Sequence, residues 1–250
     1  MNGRDASVGG GVLVAQVPWP QVEERLNNGA TAVLPIGAAS KEHGYHLPNQ
    51  TDFVQAEWLA IELAKRLQVV VWPTLSYGFY PVFVDYPGSI SLSRQTFKMV
   101  VKEILGGIFR GGAKRAAILN TGISTIAPLR AAIADLPEAG AIDLIDIYSG
   151  PKFGEVMAAV EEQGFGGHAD EIETSIMLAL NPAAVDMARA VAAVTPIKRG
   201  MFNRTDPAAA NYSPSGANGD PTLASAAKGR RLTEALLEDV LNRLTVLAGR

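Results

Sequence analysis

The sequence predicts an α/β protein: a mostly parallel sheet sandwiched between helices. Short apolar or β-branched runs alternate with longer segments of 3.6-residue periodicity along most of the chain, and no internal repeat interrupts them. Composition agrees, since 48% of the 250 residues are hydrophobic and only 19% charged, which supplies a sizeable core. We read residues 1–250 as one domain, with residues 1–11 a flexible N-terminal tail.

The elements follow in order. Residues 19–26 carry apolar side chains at helical spacing, a short helix. Residues 31–36 (TAVLPI) form an apolar run closed by Gly37, which reads as a buried strand. A polar loop, 38–52, leads to an amphipathic helix over 53–67. A second strand, 68–72, stops at Pro73, and residues 77–92, rich in aromatics, Gly and Pro, read as an excursion loop. Helices are predicted over 94–110, 126–135 and 155–163, with strands over 113–119 and 141–148. The loop 164–171 opens a helix reaching Leu180 and closed by Asn181-Pro182. Residues 201–221 lack periodicity and read as a long surface loop; residues 232–247 form the terminal helix. In a parallel sheet of this kind, ligands sit at the carboxyl ends of the strands, so chemistry is expected on those loops.

Several function classes drop out. Net charge is −3, with no basic excess to neutralise phosphates, so nucleic acid is not an expected partner. The chain has no cysteine, which excludes disulfides, thiolate nucleophiles and zinc fingers. Neither a signal-peptide apolar run nor the ~20 apolar residues of a membrane span is present, so a cytoplasmic protein without a membrane partner is expected.

The three histidines are concentrated in two loops. His43 and His46 lie in Lys41-Glu42-His43-Gly44-Tyr45-His46-Leu47-Pro48, with Asp52 beyond; His168 opens His168-Ala169-Asp170-Glu171-Ile172-Glu173. Imidazole with carboxylate suits Zn, Mn or Fe(II), and a hydrolase would use such an ion to polarise a carbonyl and acidify water. The same residues also suit ordinary surface loops, with His46 capping a turn. Glu171 and Glu173 are two apart and point to different helix faces, so one of them at most is a direct ligand. The other would orient His168 or cap the helix. Backbone N–H groups and hydroxyls in 120–125 can take an anionic or carbonyl group, or Ser124 or Thr125 can cap the next helix.

At these residues the chain resembles the creatininase (creatinine amidohydrolase) family. The first loop, through Thr51-Asp52, is similar to the family's E-x-H-G-P-H-L-P-x-x-T-D. Tyr86-Pro87-Gly88-Ser89-Ile90-Ser91-Leu92 resembles F-P-G-T-x-S-L; residues 168–175 resemble H-A-G-E-x-E-T-S; Gly219-Asp220-Pro221-Thr222-Leu223-Ala224, followed by Gly229, resembles G-D-P-T-x-A. The resemblance implies a three-layer αβα sandwich, a homo-oligomer (often a hexamer), and a one- or two-metal centre hydrolysing cyclic or linear amides. It also implies that His43 and Asp52 are metal ligands, Asp52 the bridging one, and that His168 contacts substrate or donates a proton.

The departures are specific. Lys41 aligns with the family's first glutamate, unless a bulge lets Glu42 replace it, and Gly122 stands where the loop after the third strand has a histidine. Creatinine-hydrolysing members use tryptophans around the ring; Trp19, Trp58 and Trp72 fall outside the matching segments and read as packing residues, so creatinine is not the expected substrate. The expected centre holds one divalent ion (Zn, Mn or Fe) on His43, Asp52 and one of Glu42, Glu173 or Glu171. His168 and Glu171 are the proton-handling groups. Tyr80, Asn120, Thr121, Ser124 and Tyr148 are the substrate contacts of a small amide, of lactam or formamide type. Lys41 reads as a solvated loop lysine or as an inward cation. The rival readings are a family member that binds a small metabolite without a metal, and a non-hydrolytic enzyme on the same scaffold.

Overall fold

A computed structural model describes residues 10–193, 196–197 and 200–248. Most of the expected tail, residues 1–9, lies outside the described residues. Five parallel strands, β1 (Val12–Leu13), β2 (Thr31–Ile36), β3 (Val69–Val71), β4 (Ala116–Asn120) and β5 (Ile142–Asp146), form one sheet in the order β1-β3-β2-β4-β5. The helices are α1 (Trp19–Asn27), α2 (Thr51–Ala64), α3 (Arg94–Arg110), α4 (Ile126–Ala134), α5 (Pro151–Val160), α6 (Glu171–Leu180) and α7 (Ala226–Ala248).

Alternation along the strands sorts the two faces. Val33, Val71, Ala117, Leu119 and Ile145 pack against α2, α5, α6 and α7 through Leu59, Phe153, Ile176 and Leu236. Ala32, Leu34, Ile36, Val70 and Ile118 face the other way, against Leu26 of α1, Phe97 and Leu105 of α3 and Leu129 of α4. The result is a three-layer αβα sandwich. Because both faces are covered, the central strands are buried along their whole length.

The sequence reading missed one strand and shifted several boundaries, among them that of α5, read as 155–163 and formed by Pro151–Val160. The edge strand β1 is only two residues long, too short for a periodicity signal. Helix α7 begins at Ala226, before the predicted 232, because Lys228-Gly229-Arg230-Arg231 shows no apolar stripe and is held in place by packing on α6. Trp19 is 72% exposed and does not pack as expected.

The chain leaves β2 toward β3 on one side and pairs with β4 on the other. The order reverses there, at a switch point where the loops after β2 and β4 part and leave a crevice. Gly37 ends β2, and a Cβ there would strike the Asp52 carbonyl and the Ala56 side chain. Only glycine lets the first turn of α2 lie across the strand end, and that approach brings Asp52 into the crevice.

Candidate active site at the sheet switch point

A pocket of about 370 Å³ opens over the carboxyl ends of the strands. Its wall includes Lys41 from the loop after β2, Tyr80 and Phe83 from the loop after β3, Thr121 and Ser124 after β4, and Tyr148 after β5. His168 and Glu173 complete it at the entry to α6. No tryptophan lines it among the described residues.

Two buried ion pairs organise the floor. Lys41 Nζ stands 2.7 Å from Asp52 Oδ2, and His168 Nε2 stands 2.8 Å from Glu42 Oε1. In each the cation faces the pocket and the carboxylate lies behind it. Lys41, read as a solvated loop residue or an inward cation, is the inward one, at 5% exposure. Burial alone would depress its pKa, but the carboxylates of Asp52, Glu173 and Glu42 outweigh that and hold it above the usual lysine value. Burial would likewise raise Asp52, and the Lys41 and His43 charges override it, holding the carboxyl well below its ordinary range. The same competition, burial against Glu42, lifts His168 above the usual histidine value and, in reverse, lowers Glu42.

The His43 ring has two acceptors. Nδ1 lies 3.0 Å from the Lys41 carbonyl oxygen and Nε2 lies 3.2 Å from Asp52 Oδ1. A neutral imidazole has one N–H. With that proton on Nδ1, the Nε2 lone pair and a carboxylate oxygen face each other, which a shared cation or a second ring proton would resolve. Two ligands each about 2.1 Å from a tetrahedral ion stand roughly 3.4 Å apart, close to this spacing. His43 and Glu173 also offer one ligand atom each within 4.8 Å of one another. The donors present therefore fit one divalent ion of the Zn, Mn or Fe(II) class.

Glu173 is fixed by the Ala169 N–H, which donates to Oε2 at 2.6 Å. Ala169 takes a left-handed φ of 46°, uncommon for a residue with a side chain. Asp170 caps α6, accepting from the N–H groups of Ile172 and Glu173 at 3.0 Å each. His46 is held neutral, at about 4, by burial, and its Nε2 bonds the Thr174 hydroxyl at 2.8 Å, tying the first loop to α6.

Two expected site residues are elsewhere. Glu171, expected to handle protons, points away: Oε2 accepts the N–H groups of Glu162 and Gln163 at 2.8 Å each, and Oε1 pairs with Lys228. It is fully buried and ties α6 to α5 and α7. Glu171→Gln is expected to lower unfolding free energy by about 2–4 kcal/mol, because it strands the partners of a buried charge. Urea unfolding checks this, and a shift under ~0.5 kcal/mol would contradict it. Asn120, expected to contact substrate, is fully buried and turned into its own loop, donating to the Gly122 carbonyl at 2.7 Å. Thr125 reaches both the Asn120 side chain and that carbonyl at 2.6 Å, so neither it nor Ser124 caps α4.

Residues 201–221 are not a free surface loop. Phe202 packs edge-on to Phe83 and His168, and Asn218 exchanges backbone hydrogen bonds with His168 at 3.3 and 2.8 Å. Tyr86 donates its hydroxyl to the Ser213 carbonyl at 2.5 Å. With single apolar anchors and no period, the part of this wall before Gly219 left no periodicity signal in the sequence.

Fold and site together define an αβα protein with a buried imidazole–carboxylate centre at a sheet switch point. A family model described as creatinine amidohydrolase matches residues 15–244. The chain is 28% identical to the creatinine amidohydrolase of Pseudomonas putida, covering 72% of this chain and 76% of that one. It is also 28% identical to a mycofactocin precursor peptide peptidase of Mycobacterium tuberculosis, covering 85% and 83%. A solved mutant creatininase of Zn–Zn type superposes with a TM-score of 0.80 at 25% identity, covering 94% and 97%. The chain belongs to the creatininase family, hydrolases of carbon–nitrogen amide bonds.

Proposed function

We propose that the chain hydrolyses a cyclic or linear amide of a small molecule, of lactam or formamide type, with one divalent ion (Zn, Mn or Fe) held by His43, Asp52 and Glu173. The observation that carries the reading is the His43 ring, whose two nitrogens both face acceptors. Such an ion would polarise the scissile carbonyl and lower the pKa of a water. The chain's own groups do the rest. The Lys41 carbonyl fixes the His43 tautomer, as second-shell carbonyls do for metal-ligating histidines. The Ala169 N–H holds the Glu173 carboxylate at the pocket wall. Glu42 favours the charged form of His168, whose ring could then give a proton to the departing nitrogen. Tyr80 brings a buried hydroxyl with no partner among the described residues, suited to a substrate polar atom. Tyr148, bonded to Gln55 at 2.7 Å, and the hydroxyls of Thr121 and Ser124 line the opposite side.

Elemental analysis after reconstitution with Zn, Mn or Fe(II) tests the proposal. Wild type should carry one ion per chain, and His43→Ala and Asp52→Ala should lose it. No stoichiometric ion with any of the three would leave a metabolite-binding protein instead.

The proposal includes self-association. The loops 77–86 and 201–221, which carry the exposed Tyr77, Val84 and Met201, are the surfaces taken to meet neighbouring subunits. Light scattering should give a mass well above 26.4 kDa at micromolar concentration; a monomer there would refute it.

A further inference from the structure

Asp52 is fully buried and its two carboxylate oxygens have different partners. Oδ1 faces His43 Nε2 at 3.2 Å, and Oδ2 faces Lys41 Nζ at 2.7 Å. A carboxylate whose oxygens serve two positive centres is the bridge of a two-metal hydrolytic site, where the ions stand about 3.5–4 Å apart. Here one side of the bridge carries an ammonium. Its place is built: Nζ lies 5.0 Å from the Phe83 ring centre and 5.7 Å from that of Tyr80, and the side chain is sealed from solvent yet lines the pocket.

We infer that the Lys41 ammonium takes the position of a second divalent ion, so that Asp52 bridges one metal on its Oδ1 side and an internal lysine on its Oδ2 side. The inference rests on the one-metal reading above and extends it. The ammonium has three N–H groups and no vacant coordination position. On the pocket side it can donate to a carbonyl or carboxylate oxygen, but it cannot acidify a bound water. The Lys41 side therefore receives the oxygen of the bound amide, and the attacking water belongs to the His43 side.

Manganese binding, read by equilibrium dialysis and electron paramagnetic resonance, tests this in wild type, Lys41→Glu and Lys41→Arg. Lys41→Glu should bind one more ion per chain than wild type and show a spin-coupled pair if wild type binds one. Lys41→Arg should bind the same number as wild type. The difference between proteins tests the lysine, and the absolute wild-type number tests the metal reading. If wild type binds none and Lys41→Glu binds one, the metal on the Oδ1 side falls with the one-metal reading, and the placing of the Lys41 ammonium in an ion position stands. A folded Lys41→Glu that binds no more than wild type overturns the inference, as does wild type binding two. If Lys41→Glu does not fold, Lys41→Gln takes its place: one additional, weaker ion at millimolar manganese is expected, and no gain overturns the inference.

Discussion

Gly229→Val is expected to destroy most of the protein's stability. Gly229 lies in α7 where that helix crosses α6, and a Cβ there would land on the Ser175 carbonyl oxygen and 2.9 Å from the Ala179 Cβ. The obstacle is helix backbone, which cannot rotate aside as a side chain can. Relief requires moving α7 off α6 and opening the core built by Ile172, Ile176, Leu232 and Leu236. Overpacking of well-filled cores typically costs 1–3 kcal/mol; with three added carbons, the first of them against backbone, we expect more than about 4 kcal/mol. The urea midpoint reads the loss. Gly154→Ala is the control: Gly154 lies within α5 with open space around its Cβ position, so the substitution should be neutral or stabilise by up to about 1 kcal/mol. Similar losses at the two positions would refute the close-approach explanation.

The second large effect concerns Asp52. In the metal-free protein, Asp52→Leu removes the charge facing the buried Lys41 and leaves an ammonium without its nearest counter-ion. Breaking a buried pair on one side typically costs about 3–5 kcal/mol, whereas replacing both partners by apolar groups is often neutral. Asp52→Leu should therefore lose that much, and Lys41→Met with Asp52→Leu should recover most of it. A double mutant no better than the single would remove the pair from the account of stability.

The pH dependence of this pair follows from the directions of its shifts. Asp52 has a folded pKa below its unfolded value, so its contribution is fully present above the ordinary carboxylate range and is lost as pH falls toward the folded value. Lys41 has a raised folded pKa, so the same contribution is fully present below the ordinary lysine value and is lost as pH rises through the folded one. The stability of wild type relative to the apolar double mutant should therefore fall as pH drops from 7 to 3, which thermal melts of both proteins at those two values would show; a difference that does not change with pH would contradict it.

The sequence by itself determined the layers of this protein and the loops that carry its candidate site. Side-chain periodicity is set by strand and helix geometry, so β2, α2, α3 and β4 appeared within a few residues of their positions. The concentration of His43, His46, Asp52, His168 and Glu173 in two loops points to the candidate site, and the two-residue spacing of Glu171 and Glu173 requires them to face different ways. Which one faces the pocket was settled by the packing of α6: Lys228 on α7 and the N–H groups of Glu162 and Gln163 take Glu171, leaving Glu173 to the site. Likewise, nothing in a polar loop specifies whether a lysine turns outward or inward. Lys41 turned inward because Asp52, carried in over Gly37 by the first turn of α2, would otherwise be a buried charge without a cation. Such directions depend on long-range pairing of charges in a low-dielectric interior, a property of residues brought together by the fold and absent from their local order in the chain.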